Sequence, residues 1–416
     1  MHITLDNMFA FLVLLLILVT FMGYIIPTAY LSFTTTREHQ LEEIAQAIVD
    51  KMLLSPGIPE DWGDIQLVRT ENDLKAFGLQ KVNGSFYELD VNKVLRIASV
   101  NTSTTKTLPQ TVRISQDTIA RLLGLGNEYG FSIRITPALN ISLKVLEEHC
   151  IKETGQKCKH SVPSRIRVTV MTPEGRPALG ANVTGLYILV TLEKDPSNHS
   201  QVVSNYTWFS EKGVTNWKGE AELEFGNLLE MVKKENRNLN NETCSALVVY
   251  ADYYGIRATT SSLLNSTFYD VINGTIIENY LIVKFEESVW IPPGARKTAP
   301  EVGLTDPPYY IYISRFENLT EQGSSGVIIN HGNFKIRVYG ISNVVDDDVS
   351  LIMLPVSVPI PQQGRKYVLV NFYRVPNIIC QKGAASGNIK TSVLRRIVKV
   401  GSFHYVFEVR VWRWGE

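Results

Sequence analysis

Basic residues are missing from the front of this chain: no Lys or Arg precedes Arg37 in a sequence of 416 residues. A secretory signal opens on a basic stretch, followed by about 7–15 apolar residues and a small-residue cleavage site. An ordinary cleaved signal is therefore not expected. Charge imbalance is missing too, since 41 Lys plus Arg balance 41 Asp plus Glu. Nothing in that balance calls for a nucleic-acid or polyanion partner.

Catalytic signatures are also missing. No Gly-x-Ser-x-Gly elbow occurs, and "QGSSGV" from Gln322 lacks its spacing. No P-loop and no Gly-x-Gly-x-x-Gly phosphate cradle occurs, and the seven histidines never fall at i,i+4 as a zincin helix requires. Asp346, Asp347 and Asp348 lack the alternate-ligand spacing of a dedicated calcium loop and read as a solvated acidic turn. The sequence assigns no catalytic residue, no metal and no cofactor, and the chain is read as a non-enzyme.

Long apolar runs are scarce, with one exception. "MFAFLVLLLILVTFMGYIIPTAYLSF", from Met8, carries no charge. Its first 23 residues, Met8 to Tyr30, cover about 34 Å as a helix, enough to span a hydrocarbon core of about 30 Å with some tilt. The expectation is one retained membrane-spanning helix, kinked at Pro27. Orientation follows from glycosylation sequons. Asn83, Asn101, Asn140, Asn182, Asn198, Asn205, Asn241, Asn265, Asn273 and Asn318 each begin Asn-x-Ser/Thr. Random placement would give roughly three or four. The ten that occur point to a single-pass cell-membrane protein with an extracellular, glycosylated C-terminal body.

Cysteines number four. Cys150 and Cys158, within "HCIKETGQKCKH", are the disulfide candidate, and an oxidising exterior permits the bond. The flanking His149 and His160 raise a metal reading that the long Cys–Cys spacing disfavours. The pairing of Cys244 and Cys380 does not follow from sequence.

Beyond the apolar run, "EHQLEEIAQAIVDKMLL" places Leu41, Ile44, Ile48 and Met52 on one helical face. That face suits either the core of a first domain or an assembly stalk against neighbouring copies. Ser55, Pro56, Gly57 and Pro59 then stop the helix.

The ordered set "LLSPGIPEDWG", "KAFGL", "YELDVNKVLRI" and "LLGLGNEYGFSIRITPALNIS" resembles the head of archaeal type IV pilin-like surface proteins. The resemblance covers about residues 8–148. It implies a long N-terminal helix on a small α+β head, with other pilin-like subunits or envelope proteins as partners. The basic pair that precedes the peptidase site in such chains is absent here. Read physically, Asp90 caps one short helix, a second begins at Ser115, and Trp62 packs the helix end. "FSIRI" alternates Phe131, Ile133 and Ile135 inward, and "ISLKV" repeats the pattern with Ile141, Leu143 and Val145.

Further on, "SRIRVTVMTPEGRPALGANV" puts Ile166, Val168 and Val170 on one face and turns at Pro173-Glu174-Gly175. "TNWKGEAELEF" turns at Lys218-Gly219 and sets Ala221, Leu223 and Phe225 against Glu220, Glu222 and Glu224; "SALVVYADYYGIRAT" supplies a strongly apolar strand. This order resembles the carboxypeptidase-regulatory-like, prealbumin-type β-sandwich over about 164–260, a spacer or adhesion module in surface proteins. From about Thr275, short β-branched and aromatic runs separated by Pro, Gly and Asn continue to "HYVFEVRVWRW", where Phe407, Val409 and Val411 share a face. They form a second sandwich, or complete the first domain as the final strand of a pilin-like chain does. Paired tyrosines such as Tyr253–Tyr254 and Tyr309–Tyr310 could meet surface glycans.

The expected fold is mainly β, with an N-terminal transmembrane and stalk α-helix and a small α+β pilin-like head before β-sandwich domains. Its segments are 1–33 (anchor), 34–148 (stalk and head), 149–163 (strapped linker), 164–285 (Ig-like sandwich) and 286–416 (second β-rich domain). The expected function is a membrane-anchored structural or adhesion protein, a minor pilin or a solitary ectodomain, with membrane lipid as one partner. The alternative is a membrane-tethered extracellular enzyme or solute-binding ectodomain.

Overall fold

A computed structural model describes the backbone over residues 2–64, 67–68, 70–97, 113–154, 157–194, 201–228, 230, 243–266, 274–277, 280–286, 309–315, 318–331, 334–341, 349–354, 358–359, 369–372, 378–383 and 390–414. Within these, side chains are described over 8–24, 39–97, 113–149, 162–189, 207–230, 245–264 and 378–414, apart from a few positions.

The chain opens with helix α1 (His2–Thr20), a π turn (Phe21–Ile25) and helix α2 (Ile26–Leu54). Pro27 explains the division. A proline offers no N–H to the helix ladder, and the wider π turn beside it accommodates the missing bond. Every residue from Met8 to Tyr24 is exposed. Among the described residues no helix is long and apolar enough to cross a membrane. The run expected as one continuous helix is divided among α1, the π turn and α2.

The second half of α2 behaves differently. Leu41, Ala45, Ile48, Val49, Met52 and Leu53 are buried and Ile44 is half-buried against them. Their cover is a mixed sheet. Its strands are β1 (Glu88–Leu89), β2 (Tyr129–Pro137), β18 (Ile378–Lys382), β19 (Thr391–Val400) and β20 (Phe403–Arg413), in the order β1-β19-β20-β2-β18. β1 runs parallel to β19 and the other neighbours are antiparallel. Phe131, Ile133 and Ile135 from β2 and Phe407, Val409 and Val411 from β20 join the α2 residues in one core. Of the two placements open to the C-terminal strands, completion of the first domain is the one formed: strands 378–413 belong to the head, and the expected boundary at 286 does not separate them from it. The reason is that, among the described residues before 140, the strands are β1, two residues long, and β2, and two strands cannot cover an amphipathic helix by themselves.

Between β2 and β18 lie the remaining strands. β3 (Asn140–Thr154) and β4 (Lys157–Met171) form a long antiparallel hairpin, joined by β7 (Glu220–Glu224). Within the segment expected as a strapped linker, 149–163, residues 149–154 and 157–163 are instead hairpin strand, and "ISLKV" belongs to this sheet and not to the head. The facing sheet comprises β5 (Asn182–Lys194), β6 (Gln201–Val214), β8 (Thr243–Tyr253), β9 (Ile256–Ser266) and the short β16 (Val358–Pro359). Ile166, Val168, Val170, Ala221, Leu223 and Phe225 meet Val183, Tyr187, Leu247 and Val249 across the sandwich. The opposite face of the same strands, Leu186, Ile188, Ala246, Val248 and Tyr250, joins the head core. β5 and β8 are thus buried on both faces, which is why "SALVVYA" reads as a continuous apolar run rather than an alternation. A further antiparallel sheet holds β10 (Gly274–Ile277), β11 (Tyr280–Glu286), β12 (Tyr309–Arg315), β13 (Asn318–His331), β14 (Phe334–Ile341), β15 (Val349–Leu354) and β17 (Leu369–Phe372), in the order β10-β11-β14-β13-β12-β15-β17.

Two short helices complete the head: α3 (Val91–Arg96), capped by the Asp90 carboxylate, and α4 (Gln116–Leu123), capped by the Ser115 hydroxyl. Trp62 is fully buried, and its Nε1 donates to Gly78 O at 2.7 Å.

Candidate functional site

The sandwich places three turns at one end. Between β4 and β5, Pro173-Glu174-Gly175 turns with Gly175 N donating to Thr172 O and Gly175 at φ +79°. Between β6 and β7, Asn216 Oδ1 accepts from the N–H groups of Lys218 and Glu220, and Gly219 takes φ +75°. A Cβ there would lie 2.5 Å from Val170 O, so the position needs glycine. Between β8 and β9, Tyr254 and Gly255 both have positive φ, as a two-residue hairpin turn requires. These turns raise Leu179, Trp217 and Tyr254 into solvent, Tyr254 at 89% exposure. Lys218 Nζ stands 5.0 Å from the Trp217 ring centroid.

Beneath the turns, the head-facing side of the β5–β9 sheet leaves the core and opens as a groove of about 420 Å³. The register explains its lining. Thr184 lies between Lys212 on β6 and Tyr250 on β8; Asn182 lies between Val214 and Asp252; Arg257 lies beyond Asp252. All of them border the groove. Arg257 Nε donates to Asp252 Oδ2 at 3.0 Å, and its backbone N–H donates to His404 Nδ1 at 3.1 Å, tying the groove's wall to strand β20 of the head. Burial, then the nearby Lys399 and Arg257 charges, hold His404 below its ordinary pKa, with Asp252 partly opposing. Tyr250 stacks on Phe403 at 6.2 Å across the same junction. The arrangement can hold a polar, hydroxyl-rich or anionic group. Among the described residues no group of three or more His, Cys, Asp or Glu converges as metal ligands would.

The sequence candidates distribute as follows. Asn83, Asn140 and Asn182 have exposed side chains; Asn205, Asn265 and Asn318 lie on β6, β9 and β13; Asn101, Asn198, Asn241 and Asn273 lie outside the described residues. Of the two readings open to the face of Leu41, Ile44, Ile48 and Met52, the structure has the core of a first domain: Ile48 and Met52 lie in the head core, Ile44 packs against it and Leu41 is buried, so in this structure they offer no free assembly face. Cys150 pairs opposite Ser161 and Cys158 opposite Glu153. Three rungs at about 3.4 Å each separate them, whereas a disulfide needs Cα atoms about 4.4–6.8 Å apart. A bond would require this end of the hairpin to pair differently. Asp346, Asp347 and Asp348 lie outside the described residues. Sequence reading passed over the groove because Asn182, Lys212, Asp252 and Arg257 come from four different strands. Its one linear signal is the Asn182-Val183-Thr184 sequon.

No protein-family model and no curated protein matches this chain. Among solved structures, the chain shows a remote likeness to the CupB6 tip adhesin from Pseudomonas aeruginosa, at 8% identity, covering 57% of this chain and 98% of that one with a TM-score of 0.14. At that score the two folds do not superpose as wholes.

Proposed function

We propose that the chain is a membrane-anchored, glycosylated cell-surface protein with a structural or adhesive role, built on a pilin-like plan. It serves as a minor filament subunit or a solitary anchored ectodomain, with membrane lipid as its first partner. Other pilin-like subunits, envelope proteins and surface glycans are its further partners. One observation carries the reading. The N-terminal helical run is bare and apolar over Met8–Tyr24, yet over Leu41–Leu53 the same run packs into the head sheet. Seventeen successive exposed residues with no charge are unstable in water and are stabilised by lipid or by other apolar helices. The body then stands on the far side of the anchor, where sequons become modifiable.

External protease on intact cells, followed by alkaline extraction of membranes, tests this. The reading expects the body to be shaved while an N-terminal peptide stays in the membrane pellet. A fully protected body, or a chain released by alkali, would overturn it.

A further inference from the structure

We infer that the groove beneath the sandwich turns is a cradle for an N-linked oligosaccharide carried by the chain's own Asn182. The inference rests on the proposed extracellular body and goes beyond it by choosing one sequon and giving its glycan a seat. Asn182 and Thr184 stand two residues apart on β5, so both side chains share one face. Asn182 is exposed, and further along that face Leu186 and Ile188 are buried in the head core. The sequon thus sits where the face leaves the core and becomes the groove.

The flanking side chains suit a sugar stem. Cross-strand neighbours lie about 4.5–5.5 Å apart, which sets Lys212, Val214, Tyr250 and Asp252 immediately beside the sequon. The stems of Lys212 and Arg257 and the methyls of Val214 offer apolar surface to sugar C–H groups. The Lys212 ammonium, the Asp252 carboxylate and the Arg257 guanidinium offer donors and acceptors to hydroxyls. The volume of about 420 Å³ falls within the range of about 300–1,000 Å³ usual for small-ligand sites, which leaves room for the first sugars.

The modification uses an external donor, a lipid-pyrophosphate-linked oligosaccharide, and a transferase. Asn182 Nδ2 bonds to the anomeric carbon, the anomeric C–O bond breaks, the lipid pyrophosphate leaves with the bonding pair, and one amide proton passes to a base of the transferase. Once seated, the stem lies over the junction where Arg257 meets His404 and Tyr250 meets Phe403. Its contacts then add to the tie between sandwich and head.

Glycopeptide mapping of the full-length native protein, with thermal melts of variants, tests the cradle. Thr184→Ser retains the sequon and Thr184→Ala removes it. Asn182 should carry glycan in the parent and in Thr184→Ser. Lys212→Ala should lower Tm by roughly 2–4 °C more in the glycosylated protein than in the Thr184→Ala protein. Equal effects of Lys212→Ala in both backgrounds would overturn the cradle. Bare Asn182 beside modified Asn83 or Asn140 would overturn the inference and leave the surface reading standing. Bare asparagines at every sequon would remove both.

Discussion

Arg96 and Lys93 have no exposed surface, yet both are basic side chains, one turn apart on α3. Their work is to satisfy backbone carbonyls. Arg96 donates to Val68 O at 2.6 Å, to Trp62 O and to Asp64 O, with its guanidinium 5.9 Å from the Trp62 ring centroid. Lys93 Nζ donates to Gln80 O at 2.9 Å and Pro56 O at 3.0 Å. Burial lowers the Lys93 pKa, and Asp90, Asp61 and Glu60 partly restore it. Together they clamp the Pro-Gly-x-Pro-x-x-Trp loop onto the head. Arg96→Met should therefore cost about 3 kcal/mol or more, because it leaves several buried carbonyls without a donor; the denaturant midpoint of the whole protein measures it. Glu88 makes a pH-dependent counterpart. The Ser85 hydroxyl, against the opposing effect of burial and helped by the Ser85 N–H, Lys399 and Lys81, holds its carboxyl at about 2, below the ordinary 4.5. A folded pKa depressed below the unfolded one gives stability that is complete above about pH 4.5 and is lost as pH falls toward 2. Glu88→Gln should be less stable at neutral pH and should flatten the acid limb of a stability–pH curve; an unchanged limb would dismiss Glu88 as its source. The Asp90 cap was legible from sequence, because its partners, the N–H groups of Asn92 and Lys93, are local, and Trp62 was legible as packing from its place in the turn that ends α2. The clamp was not, since a Lys and an Arg on a short helix read as its solvent face until the loop 32 residues back in sequence is brought to them.

At the scale of the element, α2 shows what periodicity can and cannot say. The 3.6-residue repeat picks out Leu41, Ile44, Ile48 and Met52 correctly as one face, but it does not say whose side chains cover that face. The cover comes from β19 and β20, some 350 residues away, where Arg396 NH2 also donates to Gln46 Oε1 at 3.0 Å. Ile48→Ser should accordingly destabilise the head by about 3 kcal/mol, the range for removing a buried isoleucine, rather than weaken contacts between copies. A variant with an unchanged melt but altered self-association would restore the assembly reading. Strand β5 and strand β8 teach a related lesson. Alternation identified β2, β4, β7 and β20, each with one apolar face, whereas strands buried on both sides lose the alternating signal and keep only their hydrophobicity. The β3–β4 hairpin adds a test of register. With Cys150 opposite Ser161 and Cys158 opposite Glu153, peptide mapping without reductant should find the two cysteines unbonded to each other, and a Cys150–Cys158 peptide would show that the hairpin end pairs out of this register.

The whole molecule is a head interrupted by its own body. β18 runs antiparallel beside β2 with Ile378 opposite Ile135, so the chain leaves the head and returns at neighbouring positions, as the two arms of a hairpin do. Such a return is the geometry in which large insertions are tolerated, because loop-closure entropy grows only slowly with loop length. Alternation marks β20 as a strand but leaves its place open between a second sandwich and the completion of the head; the apolar face of α2, which needs a cover, is what decides. The arrangement makes opposite forecasts for two truncations. Deleting residues 378–416 should unfold the head although the deletion begins some 240 residues after β2, since it removes β18, β19 and β20 from under α2. Replacing residues 138–377 by a short Gly/Ser turn should instead leave a head that folds. That head should be weaker than the parent, because Leu186, Ile188, Ala246, Val248 and Tyr250 no longer cover the face shared with the sandwich. The excised head also loses the Ala138 N–H to His404 O bond, 2.9 Å in the intact chain, so the turn must rebuild one backbone pair. Thermal melts followed by circular dichroism should show a cooperative transition at lower temperature for the excised head and none for the C-terminal deletion. A cooperative melt in the deletion, with α2 still helical, would mean that residues before 138 bury α2 unaided and that the C-terminal strands decorate the head rather than complete it.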